Sequence, residues 1–276
     1  MVSRRACRAI SFRSLSLATV VAVASLCLSA VPAGAASVTR SLAANIPIGA
    51  LPQTCNRAPD GDVCLNAVVA ALDTARADIG LEPYVLPADF NSLSGTEQIL
   101  ILSNLDRIAY GLPPITGLST TLASAAQSAM RSDVDPDPTP LLDELSVYGW
   151  TSNWAGDWAN APYAYYEWMY DDGYDGTETS NIDCTSSAAN GCWVHRRNVL
   201  AFSSPGTLSL GAAVGTDANG NSSYATTLVW TPRTNWTSYS FTWAQAKAEG
   251  AGGAHNGRLA RHRLGAARRR RHHESY

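Results

Sequence analysis

Lysine is almost missing from this chain. Lys247 stands alone against 19 arginines. Histidine is as sparse where it matters: His195 is the first along the chain, and the other four follow from His255 onward. Between Ser37 and Asn256, nine basic residues face 22 acidic ones, a net charge of −13. Such a body repels nucleic acid, whose binding needs cationic side chains against the phosphates. With no histidine between Ser37 and His195, and none after it before His255, a two-histidine metal site inside the core is excluded unless the tail folds back. The lone histidine also leaves no second imidazole to serve a serine nucleophile, and G-x-S-x-G is absent too. There is no glycine-rich phosphate loop, no EF-hand spacing, no internal repeat and no coiled-coil heptad. The residues imply no cofactor and no dedicated metal.

Long apolar runs are scarce as well, and the one present sits at the N-terminus. Arg4, Arg5, Arg8 and Arg13 precede LSLATVVAVASLCLSAV, and Ala33-Gly34-Ala35 follows. A basic start, a short apolar core and a small-residue cleavage site describe a secretory signal over 1–36. The core is too short for a comfortable span of about 20 residues. Leu26 before Cys27 argues against lipid attachment. With no second apolar run, the expected product is soluble and outside the cytoplasm, without a transmembrane span. The last segment, Gly257–Tyr276, reverses the charge, with seven arginines against one glutamate. A basic tail, set at 246–276, suits contact with an anionic envelope, or simply keeps the chain in solution.

Removal of the signal leaves four cysteines: Cys55, Cys64, Cys184 and Cys192. An even number in an exported chain implies disulfides. Three pairings are possible, and proximity favours Cys55–Cys64 and Cys184–Cys192. The spacings C-x8-C and C-x7-C fit no common zinc motif.

In chain order, 37–54 reads as a flexible lead-in, before a folded domain over 55–245 that begins with a helical extension. Leu65, Val68, Val69, Leu72, Ala75 and Ile79 recur at helical spacing, and Gly80 ends that helix. A second helix is predicted over Thr96–Tyr110, capped by Ser94 or Thr96 and closed by Gly111. A third runs roughly from Leu118 to Arg131, before the loop SDVDPDPTP. The fourth spans Pro162–Asp171, with proline in its first turn. WVHRRNVL reads as a short helix after a Gly/Ser/Asn-rich insertion. TLSLGAAVG and SSYATTLVW, joined by DANGN, form a hairpin. FTWAQAKAEG is a last short element. Helices first and a hairpin last imply a layered α+β domain.

Chemistry concentrates between Ala161 and Leu200. That stretch holds Glu167, Asp171, Asp172, Asp175, Asp183 and His195. From Tyr148 to Trp193 lie 11 of the 23 aromatic residues, which can line a groove for sugar rings or lipid, or fill the core. His195 suits acid/base work or ligand recognition near neutral pH, and would need a carboxylate to orient it. Glu167 and Asp171, four apart, share one helix face. They can divide acid and base roles as glycosidases do, bind a cation with Asp172 or Asp175, or simply form a solvated face.

Ordered short motifs from Thr96 to Trp230 give a resemblance. Asn104, Arg107, Gly111, Leu112, Pro113 and Ile115 precede an alanine-rich helix. Trp168-Met169, His-Arg-Arg-Asn-Val-Leu from His195, and LSLGAAVG follow in order. The set resembles the CAP superfamily, the secreted SCP/pathogenesis-related type, in a divergent form with a cysteine-bearing insertion. The resemblance implies a three-layer α-β-α sandwich with a central cleft, and associates the chain with lipid or sterol binding and cell-wall roles. His195 matches the family's second histidine, and Asp171 stands near its second acidic residue. Thr151-Ser152-Asn153 replaces the family's Gly-Glu-Asn, and the first histidine has no counterpart. The loss of two cleft residues favours binding over catalysis. The expected function is a secreted module binding an apolar or cell-envelope ligand. Its cleft would contain His195, Glu167 and Asp171 as the chemically active groups. Ser152, Asn153, Trp154, Trp158, Tyr166, Tyr170 and Trp193 would bind the ligand. A hydrolase of wall glycan or peptide, using Glu167 or Asp171 with His195, is the alternative, and a surface adhesion protein is a third. The sequence assigns no oligomeric state.

Overall fold

The computed structural model of the chain describes residues 42, 44–172, 184 and 192–253. The signal expected at 1–36, most of the insertion between Asp172 and Cys192, and the arginine-rich segment lie outside the described residues.

Helix α1, Asp62–Asp78, buries Leu65, Val68, Leu72 and Ala75 along one stripe. Helix α2, Gly95–Ala109, opens on a capping box between Ser94 and Glu97. It is buried continuously from Gln98 to Arg107, polar residues included. The predicted third helix starts late. Leu118 belongs instead to a short strand, β1, Gly117–Ser119, and helix α3 covers Ala123–Ser132. Leu118 pairs with Leu210 on one side and Phe241 on the other. That tertiary pairing overrides the local helical pattern.

Strand β2, Gly149–Gly156, has no counterpart in the sequence reading. GWTSNWAG carries Trp150, Thr151 and Trp154, but also two glycines and an asparagine, which strands disfavour. The segment is a strand because it pairs residue by residue with its neighbour, from Gly149↔Trp230 to Gly156↔Ser223. Helix α4 is Ala161–Tyr170 and helix α5 is Val194–Val199. The hairpin forms as expected, with β3 at Thr207–Thr216 and β4 at Ser222–Thr231. Asp217 closes its turn by accepting from the backbone N–H groups of Asn219 and Asn221 at 2.8 and 2.7 Å. Strand β5, Tyr239–Thr242, leads straight into helix α6, Trp243–Ala248. The tail therefore cannot start at 246: Ala246 and Ala251 are buried.

The five strands form one mixed sheet in the order β2-β4-β3-β1-β5, in which only β1 and β3 run parallel. The fold is thus α+β. Alternation along the hairpin divides its side chains between two clusters. Leu208, Leu210, Tyr224 and Leu228 join the main core with α1, α2 and α4. Ala213 and Ala225 meet Ala126, Ala129 and Met130 of α3. Gly211 allows that second contact, because a Cβ there would lie 2.5 Å from the Cβ of Leu122.

At the centre of the main core sits a charge. Asp106 is fully buried and ion-paired with Arg76. Its Oδ2 accepts from the hydroxyls of Tyr84 at 2.6 Å and Tyr165 at 2.7 Å, and Tyr170 lies 3.4 Å from Oδ1. A buried carboxylate is tolerable only when its lone pairs are satisfied in this way. Arg107, also buried, donates to the carbonyls of Pro113, Val199, Ala201 and Phe202 at 2.7–2.9 Å. It thereby ties the turn after α2 to the end of α5. Burial brings the Arg107 guanidinium down to about 10.

The expected disulfides are present, Cys55–Cys64 and Cys184–Cys192. Residues 44–52, read as part of a loose lead-in, are instead strapped across α4. Ile46 N–H donates to Tyr170 at 2.8 Å, and the Tyr166 hydroxyl donates to the Ile46 carbonyl at 2.7 Å. Ile46, Ile48 and Leu51 pack against the core, which gives the strap its apolar anchorage.

Candidate functional site

The site is built where α4 ends, α5 begins and β2 leaves the sheet. Asn160 caps α4 by accepting from the N–H of Tyr163 at 3.0 Å, while its Nδ2 donates to the Pro59 carbonyl at 2.8 Å. The helix buries Tyr165, Tyr166, Trp168, Met169 and Tyr170, and leaves Glu167 partly open. The chain then exits through Asp171 and Asp172.

Asp172 fixes the start of α5 with both oxygens. Its Oδ1 lies 2.8 Å from Nδ1 of His195, and its Oδ2 accepts from the N–H of Arg196 at 3.2 Å. The Asp172 side chain is fully buried, whereas that of His195 is 21% exposed. With Nδ1 committed to the carboxylate, Nε2 is the nitrogen left for other partners, and no described residue bonds it. Strand β2 holds the same turn by its backbone and side chains. Asn153 Nδ2 donates to the His195 carbonyl at 3.1 Å, and Asn198 Nδ2 donates to the Ser152 carbonyl at 2.7 Å.

His195 opens on a hollow of about 710 Å³. Trp154 and Trp158 stand on its wall with Val134 and Val194. Glu167, Asp171, Asp172, Asp133, Asp135 and Asp157 supply its acid groups. Trp154 is held by its indole N–H, which donates to Ser223 at 2.9 Å, and Trp158 by its carbonyl, which accepts from Tyr224 at 3.0 Å. The volume is within the range of ordinary small-ligand sites.

This crowd of like charges sets the protonation states. Burial, followed by the charges of Asp171 and Asp172, pushes the Glu167 carboxyl up to about 8. Burial by itself would lower the His195 imidazole. The hydrogen bond and charge of Asp172, with the charge of Asp135, outweigh that and hold it above its ordinary value. Desolvation raises the Asp135 carboxyl, partly offset by His195 and a backbone bond from Trp154. Desolvation, together with the hydrogen bond and charge of Asp217, raises Asp133. At neutral pH the hollow therefore offers a protonated Glu167 carboxyl, beside an imidazole whose charged form Asp172 favours.

Of the residues singled out from sequence, Glu167, Asp171, His195, Trp154 and Trp158 line this one hollow. The carboxylate on His195 is neither Glu167 nor Asp171 but Asp172, because the chain turns off α4 at Asp171. Tyr166 and Tyr170 do not reach the hollow. Both are buried, with their hydroxyls on the Ile46 carbonyl and near Asp106. Trp193 packs with Cys184, Cys192 and Leu42, and its indole N–H donates to Asn45 at 3.1 Å. Ser152 and Asn153 border a small internal crevice with Ile99 and Trp168 instead. Asn153 acts on the site indirectly, by donating to the His195 carbonyl and accepting from Asn198. Sequence reasoning passed over Asp133, Asp135 and Asp157. The signal for the first two was visible: three aspartates in a proline loop that was set aside as irregular.

Among the described residues, no group of three or more His, Cys, Asp or Glu is placed to hold a metal ion, and no helix is long and apolar enough to cross a membrane. No protein-family model, no curated protein and no solved structure matches the chain.

Proposed function

We propose that the chain is an exported, divergent CAP-like module of three α-β-α layers. The hollow beside His195 would bind an apolar or cell-envelope ligand without turning it over. The observation that carries this reading is the hollow itself: two tryptophans and two valines form apolar wall beside a histidine locked by Asp172. Such a mixture of apolar surface and a few fixed polar groups is how small-ligand sites are made. The layered reading rests on the separate clusters met by alternate hairpin residues, α3 with one set and α2 and α4 with the other. The CAP-like reading is supported by what the matching residues do. Asn104 bonds Ile115 through both its amide atoms, at 3.0 and 2.6 Å, and Arg107 gathers four carbonyls. These residues brace the turn and the end of α5, so their pattern follows from architecture. Export agrees with the two disulfides.

One observation favours the hydrolase as a second reading. Glu167 is held up to about 8 beside Asp171 and Asp172, so a proton donor sits among carboxylates. The two readings separate in one experiment. Wild type, His195→Ala and Glu167→Gln are presented with neutral glycans, amino sugars, fatty acids and sterols, and both binding and product formation are followed. Saturable binding without product, weakened in His195→Ala, supports the module. Product formed by wild type and lost in either variant overturns it in favour of the hydrolase.

A further inference from the structure

The hollow beside His195 has a neighbour. A second hollow of about 670 Å³ lies between the N-terminal strap and the first disulfide loop, with Gly49, Leu51, Asn56 and Tyr163 among its lining residues. Asp157 and Trp158 line both hollows. They form the saddle between the two, and the saddle is fixed. Asp157 adopts a left-handed backbone, φ 65°, just past the end of β2, and its N–H donates to the Ser222 carbonyl at 2.8 Å. The Trp158 carbonyl is held by Tyr224. The Trp158 ring in turn meets the Tyr163 ring, with centroids 4.9 Å apart and planes tilted by 33°. Tyr163 lines the second hollow only, but its ring packs on the shared Trp158. Burial and the charges of Glu167 and Asp171 push its hydroxyl up to about 12, so the carboxylates of one hollow act on an aromatic of the other.

We infer that the two hollows are one groove, crossed at Trp158, for an extended glycan built of neutral or amine-bearing sugars. This rests on the cleft reading given above and narrows it. Three features select the ligand. A Trp–Tyr pair gives apolar faces on which the C–H faces of pyranose rings can lie, with polar edges for their hydroxyls. The groove is rich in acceptors: Asp133, Asp135, Asp157 and Asp171 line it beside the protonated Glu167, and its single basic side chain among the described residues, His195, is engaged by the buried Asp172. Carboxylates repel anionic glycans, phosphates and fatty-acid head groups, and favour hydroxyl and ammonium donors. Finally, two hollows joined end to end suit a chain better than a compact molecule.

The test is affinity against length. The full chain is titrated calorimetrically with β-1,4-linked N-acetylglucosamine and glucosamine oligomers of two to six sugars, with palmitate and with oligogalacturonate. Wild type should gain about tenfold in affinity from dimer to hexamer, the scale expected when one further aromatic contact is engaged. Tyr163→Ala should remove that gain. Asn56→Arg, an exposed position in the second hollow, should do the same without disturbing the core. Equal affinity for dimer and hexamer, or a length gain untouched by Asn56→Arg, overturns the groove and leaves the cleft standing. Tight palmitate binding with no glycan binding overturns the inference alone. Oligogalacturonate binding as tightly as glucosamine oligomers overturns the charge argument and the ligand class with it. Failure of every probe overturns the cleft reading as well.

Discussion

Asp106 offers the most exacting test of how this fold is held. It is fully buried, ion-paired with Arg76 and hydrogen-bonded by Tyr84 and Tyr165, with Tyr170 alongside. Asp106→Ala strands a buried guanidinium and leaves tyrosine hydroxyls short of an acceptor. Removing one partner of a buried pair costs about 3–5 kcal/mol, and an unsatisfied hydroxyl adds about 1–3 kcal/mol where it cannot find another partner. The terms do not simply add. Arg76 keeps its bond to the Glu82 carbonyl at 2.7 Å and its place 4.1 Å over the Tyr84 ring. The expected loss is about 5 kcal/mol, comparable to the whole stability of a marginal domain. Asp106→Asn keeps the shape and one acceptor, so the expected cost is about 2–3 kcal/mol. The paired change Arg76→Met with Asp106→Leu removes both charges and should recover most of the loss, since well-packed apolar residues can replace a buried pair. Urea unfolding with disulfides intact, followed by circular dichroism, measures all three. A loss below about 1 kcal/mol for Asp106→Ala, or a double variant no better than that single one, would refute the reasoning.

Three further outcomes follow from the geometry. Glu167 titrates at about 8 when folded and near 4.3 when unfolded, so the native state keeps a proton that the unfolded chain releases. Stability should therefore fall as pH rises between those values, and Glu167→Gln should flatten that slope in pH-dependent unfolding; an unchanged slope rejects the assignment. His195 is also raised, so its contribution is present below its unfolded value and lost as pH climbs through the folded one. In an NMR titration Asp172→Asn should lower the His195 midpoint, and an unmoved midpoint shows that Asp172 does not govern it. Gly211→Ala would set a Cβ 2.5 Å from the Leu122 Cβ and 2.7 Å from its carbonyl oxygen. Neither can swing aside as a long side chain would, so a loss of about 1–3 kcal/mol and a melting point several degrees lower are expected. An unchanged melting point means α3 does not press on β3.

Much of the architecture was readable because its signals are local. Ser94 and Glu97 announce a helix start through their own side chains, and DANGN between two runs of strand formers makes a hairpin without outside help. The disulfides paired by proximity. The failures were of the opposite kind. Strand β2 exists only because β4 supplies a partner along its whole length. Leu118 left the helical pattern because two strands flank it. The N-terminal strap was invisible because Ile46 finds its partners on α4, 120 residues away in sequence for the Tyr166 bond.

The same division runs through the site. Composition determined that the chain is acidic, short of histidine and aromatic in one stretch, and those facts already restricted the chemistry to carboxylates, one imidazole and indole or phenol rings. Sequence spacing predicted Glu167 and Asp171 on one helix face, but Asp171 falls just past the end of α4, although both line the hollow. Only the tertiary structure chose Asp172 as the partner of His195, withdrew Tyr166 and Tyr170 into the core, and brought the 133–135 loop and Asp157 to the same wall. The reason is physical. Which groups a residue can offer is fixed by its covalent structure, whereas which neighbour it meets depends on how distant elements pack, and no periodicity along the chain records that.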